Sequence, residues 1–198
     1  ILKADKAALE KFMASEPRLK VYRFYLNDVI RRAAHTLSDA EEKLLADAGP
    51  MAGSAANVFN ILQNADFPYP SVKLSDGRTV KVDQAGYTDL RALANRADRE
   101  TVMSAFFTAL GGFSRTFGTT MNGEVQKVLF RAKARRYPSN LEAELDATNI
   151  PTSVYRRLID GVDKNLPAFH RYLKLRKRMM GLNELHYYDL YAPLVASV

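Results

Sequence analysis

From Val102 to Leu129, apolar residues recur every three or four positions: Val102, Phe106, Leu110, Phe113, Phe117, Met121, Val125, Val128 and Leu129. A face that returns every 3.6 residues can be buried along its length only by an α-helix. The same spacing governs most of the chain. Tyr22, Tyr25, Leu26, Val29, Ile30 and Ala33 place one apolar face on a helix over about 17–34. Val154, Leu158, Val162, Leu166, Phe169, Leu173 and Met180 do so for a last long helix. Pro151 is suited to open that helix, Pro167 is expected to kink or restart it, and Gly181 to end it.

Shorter helices are expected over 1–16, over 52–64 (Ala55, Val58, Phe59, Leu62) and around 141–145. Ser38 and Glu41 have the S-x-x-E form of a capping box, in which each side chain satisfies the other's backbone donor. Leu44, Leu45 and Ala48 follow, and Gly49-Pro50 is expected to stop that helix. In the central pattern, Gly111, Gly112 and Gly118 each weaken the helix by about 1 kcal/mol against alanine where exposed, or else admit another helix closely.

Only one stretch alternates with period two. Val72, Leu74, Val80 and Val82 are interleaved with polar residues around Asp76-Gly77, which predicts a hairpin over about 71–82. A lone two-stranded ribbon is marginal in water, so it should pack on helices. The expected fold is mainly α, a helical bundle with one β-hairpin. The expected organisation is an N-terminal helical segment over 1–66, then the hairpin and long helices over 67–198.

The chemistry-bearing residues are sparse. There is no cysteine, which excludes disulfides and thiolate metal ligands, and this fits a cytoplasmic protein. The three histidines, His35, His170 and His186, are followed by Thr36, Arg171 and Tyr187, so none opens the H-E-x-x-H pattern that sets two imidazoles beside a glutamate base. Glu184 lies two residues before His186, which is no helical ligand spacing, and His186 is expected to pack or cap. No G-x-S-x-G elbow or phosphate-binding glycine fingerprint is present. The acidic neighbours Glu41-Glu42 and Glu142/Glu144 read as solvated helix faces. Hence no catalytic, cofactor-binding or metal residue is expected among these 198.

The formal net charge is +7. Two basic clusters close the long helices: Lys127, Arg131, Lys133, Arg135 and Arg136, then Arg171, Lys174, Arg176, Lys177 and Arg178. Basic residues in a last turn complement the helix dipole. The alternative is a basic helical nucleic-acid-binding module, with Tyr137 and Tyr172 as stacking residues. A helical protein-interaction scaffold is a further alternative. No window is long and apolar enough to span a membrane. With neither a start methionine nor a leader pattern at Ile1, and an abrupt end after Ala192-Pro193-Leu194-Val195, the chain reads as cut from a longer polypeptide.

Several stretches in order resemble the oligoendopeptidase F family, relatives of thimet oligopeptidase. They are Thr36-Leu37-Ser38 with Glu41-Glu42-Lys43-Leu44-Leu45, the hairpin from Val72 to Val82, and Asp98-Arg99-Glu100 with Ala132-Lys133-Ala134-Arg135. Asn149-Ile150-Pro151, Leu166-Pro167, His170-Arg171-Tyr172 and Leu175-Arg176-Lys177 follow, and then Leu185-His186-Tyr187-Tyr188-Asp189-Leu190-Tyr191-Ala192-Pro193-Leu194. The resemblance implies a parent that is a zinc endopeptidase of short peptides. In that family an H-E-x-x-H helix and a downstream glutamate hold zinc, and the motif's own glutamate activates water. This chain would be its N-terminal, non-catalytic portion, one wall of the substrate cavity. Its partners would be peptide substrates and the catalytic domain of the same polypeptide, with neither nucleic acid nor membrane. Because the sequence stops before any such motif, no zinc is expected in this portion, and no ligand is carried over to any position.

Overall fold

The computed structural model describes residues 6–195. Among them are ten α-helices and one two-stranded antiparallel sheet, the expected mainly α fold with a single hairpin. The helices are α1 (Lys6–Ser15), α2 (Arg23–Arg32), α3 (Asp39–Asp47), α4 (Gly49–Ala52), α5 (Ser54–Ile61), α6 (Gln84–Leu90), α7 (Arg96–Gly112), α8 (Ser114–Ala134), α9 (Asn140–Asp146) and α10 (Thr152–Met179). The expected first helix lies outside the described residues over 1–5. The chain divides into two compact units, 1–56 with 122–158, and 57–121 with 159–198.

In the first unit, the helix expected over 17–34 forms in three pieces. A 3-10 turn, Pro17–Tyr22, leads into α2, and a second one, Ala33–His35, follows it. The capping box forms as expected: Ser38 Oγ accepts from Glu41 N, and the Glu41 carboxylate accepts from Ser38 N at 2.9 Å. Gly49-Pro50 ends α3 and at once opens the short α4, because proline at a first helical turn forfeits no hydrogen bond. Gly123 of α8 faces Ala55 so closely that an added Cβ would lie 2.5 Å from the Ala55 Cβ.

In the second unit the hairpin pairs β1 (Ser71–Lys73) with β2 (Thr79–Lys81) in the register Ser71↔Lys81, Val72↔Val80, Lys73↔Thr79. Gly77 takes φ +90° at its turn, a conformation glycine adopts without steric cost. As expected, the ribbon packs on helices: Leu74 and Val82 form a buried core with Tyr87 of α6 and Val102 and Phe106 of α7. Asp98, in the first turn of α7, holds the ribbon end, accepting from Ser75 N at 2.8 Å and Ser75 Oγ at 2.7 Å.

The long central helix expected from Asp98 onward is two helices. Phe113 leaves helical geometry (φ −107°, ψ 14°) just after Gly111-Gly112, and α8 begins at Ser114. Paired glycines leave that turn the least costly place to break. At Gly111, Gly112 and Gly118 an added Cβ would meet nothing within 4 Å, so the close approach occurs at Gly123 instead. By contrast, α10 runs unbroken through Pro167, and Gly181 (φ +65°) follows its end as expected. These environments predict opposite effects of one substitution. Gly118→Ala should raise stability to urea by about 0.5–1 kcal/mol. Gly123→Ala should lower it by about 1–3 kcal/mol through overpacking.

Candidate functional site

Two polar assemblies stand out, one in each unit. The second unit is organised on Asp189, fully buried at 0% exposure. Asp189 closes a 3-10 turn, Tyr187–Asp189, whose N-cap is His186. Its Oδ1 accepts from Arg99 Nη2 and Arg96 Nε, each at 3.0 Å, and its Oδ2 from Arg96 Nη2 at 3.1 Å and His186 N at 3.0 Å. Arg99, 2% exposed, spends its other donors on carbonyls: Nε on Tyr188 at 2.8 Å, Nη1 on Leu93 at 2.8 Å and Ala94 at 2.9 Å. Arg176 of α10 clasps the same turn from its backbone side, donating Nε and Nη2 to Asp189 O at 2.9 and 2.8 Å and Nη2 also to Ala192 O.

Burial pushes the Asp189 carboxyl upward, but the hydrogen bonds from Arg96, His186 N and Arg99 outweigh it and hold the group below its usual value. A carboxylate so fully engaged is neither base nor metal ligand; it fastens the chain from His186 to Ala192 onto α7 and α10. Arg176 thus leaves the basic surface to which its sequence neighbours assign it. Around this assembly Arg91 stacks over Tyr191, its guanidinium carbon 3.7 Å from the ring centre, and His186 stacks on Tyr188 at 5.1 Å. His186 therefore both caps and packs, as expected.

The first unit carries an open cleft of about 830 Å³, lined among others by Tyr25, Arg32, His35, Arg131, Arg135 and Tyr137. The floor is built by pairing. The Arg135 fork grips Glu42 with two 2.8 Å bonds and donates to His35 O at 3.0 Å. Glu42 also accepts from Leu37 N at 3.0 Å, and its carboxyl is held low, chiefly by Arg135. His35 lies 3.6 Å from the Tyr137 ring centre, nearly parallel, with Nδ1 2.8 Å from Arg135 O. Tyr137 donates its hydroxyl to Asp146 at 2.7 Å, and Arg31 bridges Asp146 and Asp28. Burial first, then the Asp146 hydrogen bond and charge, push the Tyr137 phenol up to about 12. The guanidinium of Arg32 is paired with Asp28 at 2.7 Å. The cleft therefore has aromatic walls, with Arg135 and Arg32 already paired to Glu42 and Asp28 and Arg131 exposed among its lining residues.

The weighed ligand candidates do not assemble. His35 belongs to the first unit. His170 stands exposed on α10, and His186 has Glu184 at 3.5 Å. Glu41 and Glu142 each accept from the hydroxyl of their helix's N-cap serine, Ser38 and Ser139. Among the described residues no group of three or more histidine, aspartate or glutamate side chains is placed to hold a metal ion. The Arg96–Asp189 and Arg99–Asp189 pairs, about ninety residues apart in sequence, carried no local signal.

With a buried-carboxylate clasp in one unit and an open cleft in the other, comparison places the chain in a family. Residues 1–69 match the family described as Oligopeptidase F, and residues 90–197 match Peptidase family M3. The chain belongs to peptidase family M3, in its oligoendopeptidase F branch. It is 36% identical, over 98% of its length, to oligopeptidase PepF of Bacillus subtilis, of which it covers 29%. It is 33% identical to group B oligopeptidase PepB of Streptococcus agalactiae, over 98% of this chain and 32% of that one. The crystal structure of oligoendopeptidase-F from Enterococcus faecium superposes with a TM-score of 0.89 at 36% identity, covering 98% of this chain and 37% of that one. A peptidase structure from Chlamydophila abortus, titled putative, gives 0.91 at 33%, over 98% and 32%. The chain spans a little under a third of the length of these curated relatives.

Two substitutions test the assemblies. Asp189→Asn should cost about 3 kcal/mol at pH 7, since it leaves Arg99 buried without its counter-charge. The folded carboxyl titrates below its unfolded value, so the difference from wild type is full above about pH 4 and shrinks as pH falls through the folded value. Tyr137→Phe should cost about 1–2 kcal/mol. Here the folded pKa is raised, so the difference holds below pH ~10 and shrinks as pH rises toward 12. Urea titrations across pH read both.

Proposed function

We propose that this chain is the non-catalytic, N-terminal portion of a zinc-dependent oligoendopeptidase that hydrolyses short peptides in the cytoplasm, and that it forms part of the wall of the substrate cavity. The observation carrying this reading is that almost the whole chain aligns with a contiguous third of relatives named as oligopeptidases, with matching fold. The donors available here do not suit zinc: there is no thiol, and among the described residues no three histidine, aspartate or glutamate side chains are grouped to hold a metal ion. The metal and the water it activates therefore belong to the rest of the parent. Peptides end in a carboxylate, a group that the exposed Arg131 among the lining of the first unit's cleft suits. The catalytic domain of the same polypeptide is the partner, and neither nucleic acid nor membrane takes part. Among the described residues no helix is long and apolar enough to cross a membrane.

Zinc content and cleavage of a quenched short peptide, measured on the full-length parent beside this chain, test the reading. The expected outcome is a zinc-bearing parent that a chelator inactivates, beside an inert, metal-free chain. A parent without zinc or cleavage would reject it.

A further inference from the structure

We infer that the cleft of the first unit binds a di- or tripeptide with both ends free, its carboxylate on Arg131, its ammonium on Glu144 and an apolar side chain on the cleft floor. The inference deepens the reading of the chain as a wall around peptide substrates, and rests on it.

Every residue lining the cleft belongs to 1–56 or 122–158, so the cavity is formed within the first unit. Three helices build it, each with one face. From α2 come Tyr25, Val29 and Arg32, and from α8 Val128, Ala132 and Arg135, both sets at intervals of four and three. Ala143 of α9 and its C-cap Ala147 add a third side. Where these faces converge the side chains are small: Val29 and Ala132 are buried and Ala143 is half-buried. Alanines at such a junction leave space that larger side chains would fill. The space is about 830 Å³, within the roughly 300–1,000 Å³ of sites that hold small molecules on an apolar floor with a few polar groups.

The charges around that floor say what it takes. Arg135 is engaged by Glu42 and His35 O, Arg32 by Asp28, and Asp146 by Arg31 and the Tyr137 hydroxyl. Arg131 and Glu144 remain. Both are exposed, and among the described residues neither side chain has a hydrogen bond or ion pair. Two opposite charges thus line one cavity without pairing with each other. A lone anion would suit Arg131 and be repelled by Glu144, and a lone cation the reverse; a zwitterion with its charges at two ends answers both. A terminal carboxylate matches the planar guanidinium fork, and a terminal ammonium matches a carboxylate. Three residues span at most about 10 Å, so only a very short peptide brings both of its ends into one such cavity. Cleavage of short peptides releases fragments of this class.

Titration of the 198-residue chain with leucyl-leucine, its N-acetyl form and its C-terminal amide, followed by proton–nitrogen NMR, tests the site. Free leucyl-leucine should bind with a dissociation constant on the order of 1 mM and shift amide resonances of the cleft. Amidation and acetylation should each weaken binding by about five- to tenfold. In Arg131→Gln amidation should make no further difference, and in Glu144→Gln acetylation should make none. Both side chains are exposed and unpaired, and thermal melts confirm that each variant folds. No binding of the free dipeptide, or equal binding of the blocked ones, would overturn the proposal. A loss on amidation with none on acetylation would overturn the role of Glu144. The full-length parent, held inactive by a chelator, should rank the three peptides in the same order. A parent that excludes the dipeptide while the chain binds it would overturn the proposal by making a segment of the parent the occupant. None of these readouts depends on zinc or cleavage, so failure of the peptide site and failure of the peptidase reading are separately visible.

Discussion

The second unit depends on one buried ion pair. Asp189, with no exposure to solvent, faces Arg99, which is nearly as buried, and supplies the counter-charge that Arg99 needs there. The carboxylate also accepts from Arg96 and His186 N, and Arg99 also donates to the carbonyls of Tyr188, Leu93 and Ala94. In a low-dielectric interior a half-satisfied network is worse than an apolar one, whereas a complete one fixes a single geometry. Here that geometry joins three stretches distant in sequence: the loop before α7, α7 itself and the turn after α10. The hairpin is tied to the same helix through Asp98 and Ser75, so α7 carries the ribbon at its first turn and the clasped turn alongside.

In the first unit, pairing of the same kind does different work. Glu42–Arg135, Asp146–Arg31 and the His35–Tyr137 stack use short-range electrostatics and ring contact to shape an open cleft. Both units thus place arginine at structural joints. Arg31, Arg96, Arg99, Arg135 and Arg176 therefore serve pairing within the fold.

How legible this was varies element by element. The Ser38–Glu41 box and the Asp76-Gly77 hairpin were readable because each is decided within four to twelve residues. The break at Phe113 was half-readable: the glycines marked a weak point, but the apolar spacing continued across it, and spacing cannot register a local change in axis. Helix α6 went unread because its seven residues hold too little periodicity. Its one signal was Asp83, whose side chain accepts from Gly86 N as an N-cap. Gly123 was overlooked while Gly111, Gly112 and Gly118 drew notice, since which glycine is approached depends on where Ala55 lies.

The sequence by itself determined the helical class, the hairpin, the caps, the absence of thiol chemistry and the order of motifs that marks the family. All of these rest on periods and neighbours within a few residues, and local backbone physics writes them directly into the chain. Tertiary structure alone decided that Arg176 faces inward while the basic residues around it face out, and that Asp189 is a joint rather than a reactive acid. Those outcomes depend on which distant groups meet in a medium where charges must pair and apolar faces must be covered, and no window of sequence contains both partners.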